Sequence, residues 1–392
     1  MFESKASAVI RDGSKLSFEY VPERLIHREE QMSRLEMLFR PLFEHGRSST
    51  AFLTGTVGTG KTATAKRFCA DLMKHGAKTG RPVECVIVNC RGRGTEAGVL
   101  IQLLRHFDPG FPDRGFSPAE MMRSLRALIE RSRVPLVVVL DEADVLIKKN
   151  SADLIYRLSR FAEEGVGMQS PVSLMLISPE YVLDRLDEAS LSTFRRANTV
   201  RFGRYSRDEL RSIVEYRAGE ALVADGITEG ALDLIADISD EFGDARFAIE
   251  LLDRAASIAE GKTLGRVTAE DVRAAKAMTH SVVTESKLES LDANRRLVLL
   301  AVARSIKDST YVGMGAAEKA YAVVCEEYGV PARKHTQFWT YVQDLDAANL
   351  IQTVVRGDRE DGGRTTFISL PDIPSKVLAE RVESLMESDP PV

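Results

Sequence analysis

Apolar positions follow two rhythms along the chain. Up to about residue 204, short and nearly continuous apolar runs alternate with longer stretches at helical spacing. The runs SSTAFLTG (48–55), VECVIVN (83–89), PLVVVLD (135–141) and VSLMLIS (172–178) predict strands. They lack a regular polar/apolar alternation, as expected of parallel strands covered on both faces. Between them the spacing predicts a helix over 28–43, where Met32, Leu35, Leu38 and Phe39 recur on one face, and another over 60–76, closed by His75-Gly76. Three more are predicted over 95–107, 118–132 and 151–163. Strands alternating with helices specify an α/β domain with a parallel sheet over residues 21–204.

Beyond Tyr205 the strands stop. Segments 206–225, 228–240, 244–260 and 268–278 show helical spacing, with breaks at Gly226-Ile227, Gly243 and Gly261, so residues 205–279 are expected to form a small all-helical domain. Residues 280–392 then offer helices over 288–305, 315–328 and 335–348, followed by VVRGDREDGGRTTFISL, two strand-like runs around a polar loop. Helix, helix, helix, hairpin is the order of a winged-helix module. Residues 1–20 carry mixed charge with little periodicity and are expected to form a loose arm.

Composition narrows the classes. Hydrophobic residues make up 44% and charged residues 28% of the 392, an ordinary globular balance. No apolar run approaches the roughly 18 residues of a membrane span, so no membrane partner is expected. The start, MFESKASAVIRDG, lacks the apolar core of a secretory signal, and Cys69, Cys85, Cys90 and Cys325 include no CxxC pair. Reduced thiols in a cytoplasm are the expectation. The six histidines have no zinc-ligand spacing. A net charge of −5 gives no support to gripping nucleic acid by the overall field. Residues 281–392 alone hold 13 Lys+Arg against 17 Asp+Glu, so any DNA contact there has to come from a local patch.

The candidate chemistry begins at Gly55-Thr56-Val57-Gly58-Thr59-Gly60-Lys61-Thr62, which satisfies G-x-x-x-x-G-K-[ST] between a predicted strand and a predicted helix. Glycines let such a loop wrap a phosphate with backbone N–H groups, and the following helix N-terminus favours an anion. Lys61 would reach the β and γ phosphates of ATP or ADP, and the Thr62 hydroxyl would ligate Mg²⁺. About eighty residues on, a hydrophobic strand delivers Asp141-Glu142-Ala143-Asp144. An acid at such a strand end places a carboxylate beside the metal, so Asp141 is the candidate Mg²⁺ ligand and Glu142 the candidate base for the attacking water. The pair favours hydrolysis over kinase-type transfer.

Phosphate loop, acidic strand end and helical domain together resemble the AAA+ ATPases. Finer features resemble one branch, the archaeal origin-recognition initiators related to eukaryotic origin-recognition and cell-division-control loading proteins. These are Tyr20-Val21-Pro22-Glu23-Arg24-Leu25-Ile26-His27-Arg28-Glu29, Asn89-Cys90, Asp113-Arg114-Gly115-Phe116-Ser117, Leu140 to Asp144, and Gly243-Asp244-Ala245-Arg246-Phe247-Ala248. The resemblance covers residues 20–278 in sequence and the terminal domain by layout. It implies nucleotide contacts from Leu25, Ile26 and Arg28, in an opening that packs near the adenine, and from Ala63 and Tyr205, and a helical lid whose Arg246 touches the γ-phosphate. Ser178 stands where the family often has Asn. Ser192-Thr193-Phe194-Arg195-Arg196 lies in the region of the inter-subunit arginine; Phe194 falls at the aligned position, and Arg195 is the chosen candidate. Family members carry an extra DNA-touching helix after the second strand, here about 92–107 with Arg91, Arg93 and Arg105 nearby. Its Val99, Leu100, Leu103 and Leu104 equally suit a core face.

In the third helix of the terminal module, Phe338, Tyr341, Val342 and Leu345 should face the core. That leaves Gln337, Thr340 and Gln343 outward, preceded by Arg333, Lys334, His335 and Thr336, a face suited to base edges and phosphates. Arg356, Arg359 and Arg364 flank the hairpin loop, although Asp358, Glu360 and Asp361 oppose phosphate contact. Trp339 is expected to pack rather than stack on DNA. The resemblance thus implies an ATP-dependent replication initiator with slow, switch-like hydrolysis. It would bind origin double-stranded DNA, help recruit or load the replicative helicase, and act with other initiator subunits. The alternatives are a promoter-binding transcription regulator, or a clamp-loader-like or transposition-helper ATPase acting on protein partners.

Overall fold

The computed structural model describes residues 8–388 except Arg93, 150–151, 162–171, 186–193, 195–197, 263–264, 280–284, 307–308, 358–363 and 371–372. Two compact units emerge, Val21–Tyr205 and the combination of Met1–Tyr20 with Ser206–Val392.

The Val21–Tyr205 unit runs α1 (Glu29–His45), β1 (Thr50–Thr54), α2 (Lys61–Lys78), β2 (Glu84–Asn89), α3 (Glu96–Phe107), α4 (Pro118–Ser132), β3 (Leu136–Asp141), α5 (Asp144–Lys148), α6 (Ala152–Ser159), β4 (Val172–Ser178) and β5 (Thr199–Arg201). The five strands form one parallel sheet in the order β2-β3-β4-β1-β5. Every residue of β3 and β4 is buried, which explains their nearly continuous apolar runs. Alternate side chains of β3 serve opposite cores: Val138 and Leu140 meet Leu100, Leu104, Leu125 and Ile129. Val137 and Val139 meet Leu35, Phe39, Phe68 and Leu72 from α1 and α2.

Two local expectations change here. The second helix does not stop at His75-Gly76 but continues to Lys78. Gly76 is a packing residue, because a Cβ on it would lie 2.6 Å from the Arg81 carbonyl oxygen of the returning chain. The three-residue edge strand β5 and the single-turn α5 carry too little periodicity to be seen in sequence.

The second unit carries four helices, α7 (Arg207–Ala221), α8 (Glu229–Asp240), α9 (Ala245–Glu260) and α10 (Ala269–Thr279). Ser206 and Glu209 form a capping box at the start of α7. From Ala8 onward the N-terminal arm is not loose: Val9 and Leu16 are buried against these helices. The Glu260 carboxylate accepts the backbone N–H groups of Ala8, Val9 and Ile10 at 3.3, 2.9 and 2.6 Å. Ile10 also bridges Leu222, and Arg217 donates to the Lys15 carbonyl at 2.6 Å. Long-range backbone partners replace the missing periodicity, which is why no local pattern announced this packing.

The terminal module follows as α11 (Glu285–Glu289), α12 (Ala293–Ile306), β6 (Val312–Gly313), α13 (Met314–Glu327), α14 (His335–Ala347), β7 (Gln352–Gly357), β8 (Arg364–Ser369) and α15 (Ser375–Ser388). Its antiparallel sheet has the order β6-β8-β7. The stretch expected as one helix over 288–305 breaks into α11 and α12, with Asp292 accepting the N–H of Arg295 at 2.9 Å. The sequence reading missed α15, although Leu378, Val382 and Met386 recur every fourth residue and are buried. One buried side chain fastens this module to the four-helix layer. Arg273 of α10, 0% exposed, donates to the carbonyls of Leu370 and Ser309, both at 2.8 Å, and pairs with Glu270 at 2.6 Å.

Candidate nucleotide site and nucleic-acid interface

The phosphate loop spans the gap from the end of β1 to the start of α2, so the helix N-terminus opens directly on it. Gly58 and Gly60 take φ of +77° and +85°, conformations that a side chain would strain. Gly55 is required by space as well, since a Cβ there would lie 2.2 Å from the Phe202 carbonyl oxygen. Lys61 Nζ donates to the carbonyls of Gly55 and Thr56, both at 2.6 Å. Thr59 Oγ1 donates to the Thr56 carbonyl at 2.8 Å. Thr56, Val57 and Ala63 sit in or next to this loop, and Val57 is 60% exposed at its tip.

Parallel pairing brings the acidic strand end to the loop. Thr62 Oγ1 donates to Asp141 Oδ2 at 2.9 Å, and the N–H of Glu142 donates to Asp141 Oδ1 at 3.0 Å. Asp141 is buried, and these two donors replace part of its lost hydration. Glu142 has φ of +56°, a strained backbone for a non-glycine residue, and its carboxylate forms an ion pair with Arg91 at 2.7 Å. The register pairs Ser178 with Thr54, the residue before the loop, and Ser178 Oγ accepts the N–H of Glu180 at 3.1 Å. Burial, then the nearby carboxylates led by Asp141, pushes the Cys90 thiol up to about 12, so it stays protonated at neutral pH.

Thr62 and Asp141 present hard oxygen donors side by side, a set that fits Mg²⁺. Among the described residues no group of three or more His, Cys, Asp or Glu side chains could hold a metal, so phosphates and water would have to complete the shell. Arg28, expected among the nucleotide contacts, donates one hydrogen bond from each of its three guanidinium nitrogens to a backbone carbonyl. Leu25 and Ile26 are half-buried just ahead of it. A separate groove of 890 Å³ runs along α1 and β5, lined by Gln31, Arg34, Tyr181 and Arg201, and contains none of the expected nucleotide residues.

Comparison with known proteins places these features. Residues 45–186 match the AAA domain family, 211–277 the Cdc6 AAA+ ATPase-type lid domain, and 286–380 the CDC6 C-terminal winged helix domain. An ORC1-type DNA replication protein of Thermococcus onnurineus is 30% identical over 380 residues, 95% of this chain and 90% of the relative. The chain belongs to the ORC1-type DNA replication protein family. Its fold is similar to that of Cdc6p from Pyrobaculum aerophilum, with TM-score 0.80 and 28% identity over 97% of this chain and 99% of that one. The Aeropyrum pernix ORC1 protein, solved in complex with DNA, matches with TM-score 0.65 and 28% identity over 98% of each chain. The α/β AAA domain, helical lid and winged helix are thus the family's architecture.

The remaining expected residues of this ORC1-type chain fall as follows. Arg246 lies in the lid, exposed on the first turn of α9, with its N–H held by Asp244 at 2.7 Å. Arg195, Arg93 and Arg359 lie outside the described residues, while Phe194 is buried. The helix α3 buries Val99, Leu100, Leu103 and Leu104, and Arg105 pairs with Asp113 at 3.0 Å and donates to the Phe111 carbonyl at 3.0 Å. Arg105 is therefore engaged within the fold.

In the winged helix, α14 buries Phe338, Tyr341, Val342 and Leu345, while Arg333, Lys334, His335, Thr336, Gln337, Thr340 and Gln343 are exposed. Trp339, expected to pack, is 36% exposed on the same helix. Buried positions leave it flanking that polar face, because 100° per residue carries it beyond the core arc. His335 Nδ1 lies 2.8 Å from Glu318 Oε2. Strand pairing sets Arg356 opposite Thr365 and Arg364 opposite Gly357, both next to the hairpin loop.

Proposed function

We propose that this ORC1-type protein is an ATP-dependent replication initiator. It binds ATP or ADP with Mg²⁺ at Gly55–Thr62 and origin double-stranded DNA through its winged helix and AAA+ domain. In that state it helps recruit or load the replicative helicase, together with other initiator subunits. The observation that carries the reading is the meeting of Lys61, Thr62 and Asp141 at one strand–helix junction, in a chain that also presents an exposed polar face on α14. Lys61 and the loop N–H groups would hold the phosphates, and Thr62 with Asp141 would hold Mg²⁺, which supplies charge neutralisation when bound. Glu142 would accept the proton of the attacking water, Ser178 would position that water or phosphate, and Arg246 would report the γ-phosphate. Arg195 is the candidate finger toward a neighbouring subunit.

The Arg91–Glu142 pair bears on the rate. Arg91 is 80% exposed, so the pair is weak, and Glu142 has to leave it to take a proton. Arg91→Ala is expected to raise single-turnover ATP hydrolysis up to about fivefold with ADP affinity unchanged. A rate lower than wild type would instead make Arg91 part of the hydrolytic set.

On DNA, the Aeropyrum pernix relative's complex and the basic start of α14 support phosphate anchoring by Arg333 and Lys334, with Gln337 and Thr340 toward base edges. Arg356→Ala is expected to weaken binding and lower the slope of log K against log salt by about 1, the loss of one phosphate contact. An unchanged slope removes the wing from the account. The decisive experiment is genome-wide crosslinking of the bound protein mapped against replication start sites. Enrichment at promoters away from those starts would sink the initiator reading in favour of a transcription regulator.

A further inference from the structure

The Arg28 side chain joins two stretches of the Val21–Tyr205 unit that are far apart in sequence. Its Nε donates to the Thr59 carbonyl inside the phosphate loop at 3.0 Å, and Nη2 donates to the Gly203 carbonyl at 3.2 Å. Nη1 is anchored locally on the His27 carbonyl at 2.8 Å. The guanidinium carbon stands 3.6 Å from the centre of the Tyr205 ring and 5.6 Å from that of Phe202, and the residue is 5% exposed. Tyr205 presses on the loop from its own side, since a Cβ on Gly60 would lie 2.7 Å from its hydroxyl oxygen. Tyr205 is also the last residue of this unit, and Ser206, the next, caps the first lid helix.

We propose that Arg28 is a positioning residue that couples occupancy of the phosphate loop to the segment Gly203–Ser206, through which the chain passes into the lid. The inference rests on the nucleotide reading of the loop. Lys61 has three N–H donors and gives two to the carbonyls of Gly55 and Thr56, so reaching both the β and γ phosphates takes at least one of them from the loop, which rearranges around the anion. Thr59 moves with it. A planar, doubly donating guanidinium stacked on an aromatic ring transmits that displacement to Gly203 and Tyr205 as a rigid strut. A lysine ammonium keeps the charge but cannot hold both carbonyls and the stack at once.

The test uses the full-length wild type, Arg28→Lys and Tyr205→Leu, with ADP affinity from calorimetry and hydrogen exchange of the peptide spanning 203–210. In wild type, ADP should slow exchange at 203–207 by about tenfold or more. At ADP concentrations that saturate it, as fixed by calorimetry, Arg28→Lys should keep ADP protection at 55–62, yet lose it at 203–207. Tyr205→Leu should show the same separation, and decides the matter if Arg28→Lys does not fold. Retained protection at 203–207 in the folded variants overturns the proposal. So does retained protection with lost preference for ADP over CDP, which would return Arg28 to a base contact. Failure of the wild type to bind ADP would instead overturn the nucleotide reading itself, and the coupling with it.

Discussion

Lys61→Ala is expected to weaken ADP and ATP binding by at least about 100-fold, to the point where calorimetry records no stable complex. Lys61 is largely buried, and its ammonium already holds the loop carbonyls of Gly55 and Thr56 at 2.6 Å. Its removal therefore has two effects. The phosphates lose a charge-assisted donor, which contributes roughly 1.5–3 kcal/mol. The carbonyl that keeps its Lys61 donor when phosphate binds also loses it, so the loop is held less firmly around the anion. Together these reach about 3 kcal/mol, or about two decades in affinity. Lys61→Arg keeps charge while changing reach, and should fall between wild type and alanine. Wild-type affinity in Lys61→Ala would refute the role of the loop.

Arg273→Ala should be the most destabilising single substitution in the second unit, by roughly 3–5 kcal/mol. Arg273 is fully buried and serves the Leu370 and Ser309 carbonyls together with Glu270. Alanine leaves those carbonyls without their donor and an uncompensated carboxylate beside them, the costly way to break a buried pair. Glu270 still accepts the N–H of Ser375 at 3.0 Å, which limits the loss but does not replace a cation. For a unit of this size, Tm measured by calorimetry should fall by about 6–20 °C. Arg273→Met combined with Glu270→Gln removes both charges at similar volume and should recover part of that fall. A drop under about 2 °C in Arg273→Ala would mean that water replaces the guanidinium without cost.

Much of the first domain was legible because its strands are buried on both faces. Residues 136–141 and 172–178 show as nearly continuous apolar runs for the same reason that they sit in the middle of the sheet. The phosphate loop was legible because its glycines answer a local backbone demand, visible at Gly58 and Gly60. The N-terminal arm was misread as loose because Val9 and Leu16 are its few apolar anchors and the rest is backbone bonding to Glu260, which leaves no periodic trace. Arg28 is expected among the nucleotide contacts, and the structure adds that each guanidinium nitrogen donates to a carbonyl. Nothing in the letters Leu-Ile-His-Arg-Glu distinguishes a guanidinium facing a base from one facing the main chain. Arg91 and Arg105 were grouped as basic residues near a DNA-touching helix, and their acidic partners Glu142 and Asp113 became known only in three dimensions.

The sequence by itself determined most of the longer elements, the order in which they follow, and the loop and acids that define the chemistry. Each of these depends on neighbours within one turn, one strand or one short loop, where spacing and residue type carry the physics. The tertiary structure alone decided which side chain faces which: Thr62 on Asp141, Arg28 between Thr59 and Gly203, Arg273 under Leu370. Those pairings join residues tens of positions apart. A charge pattern read along the chain cannot specify them, because burial and partner choice are fixed only when the sheet closes and the helices pack.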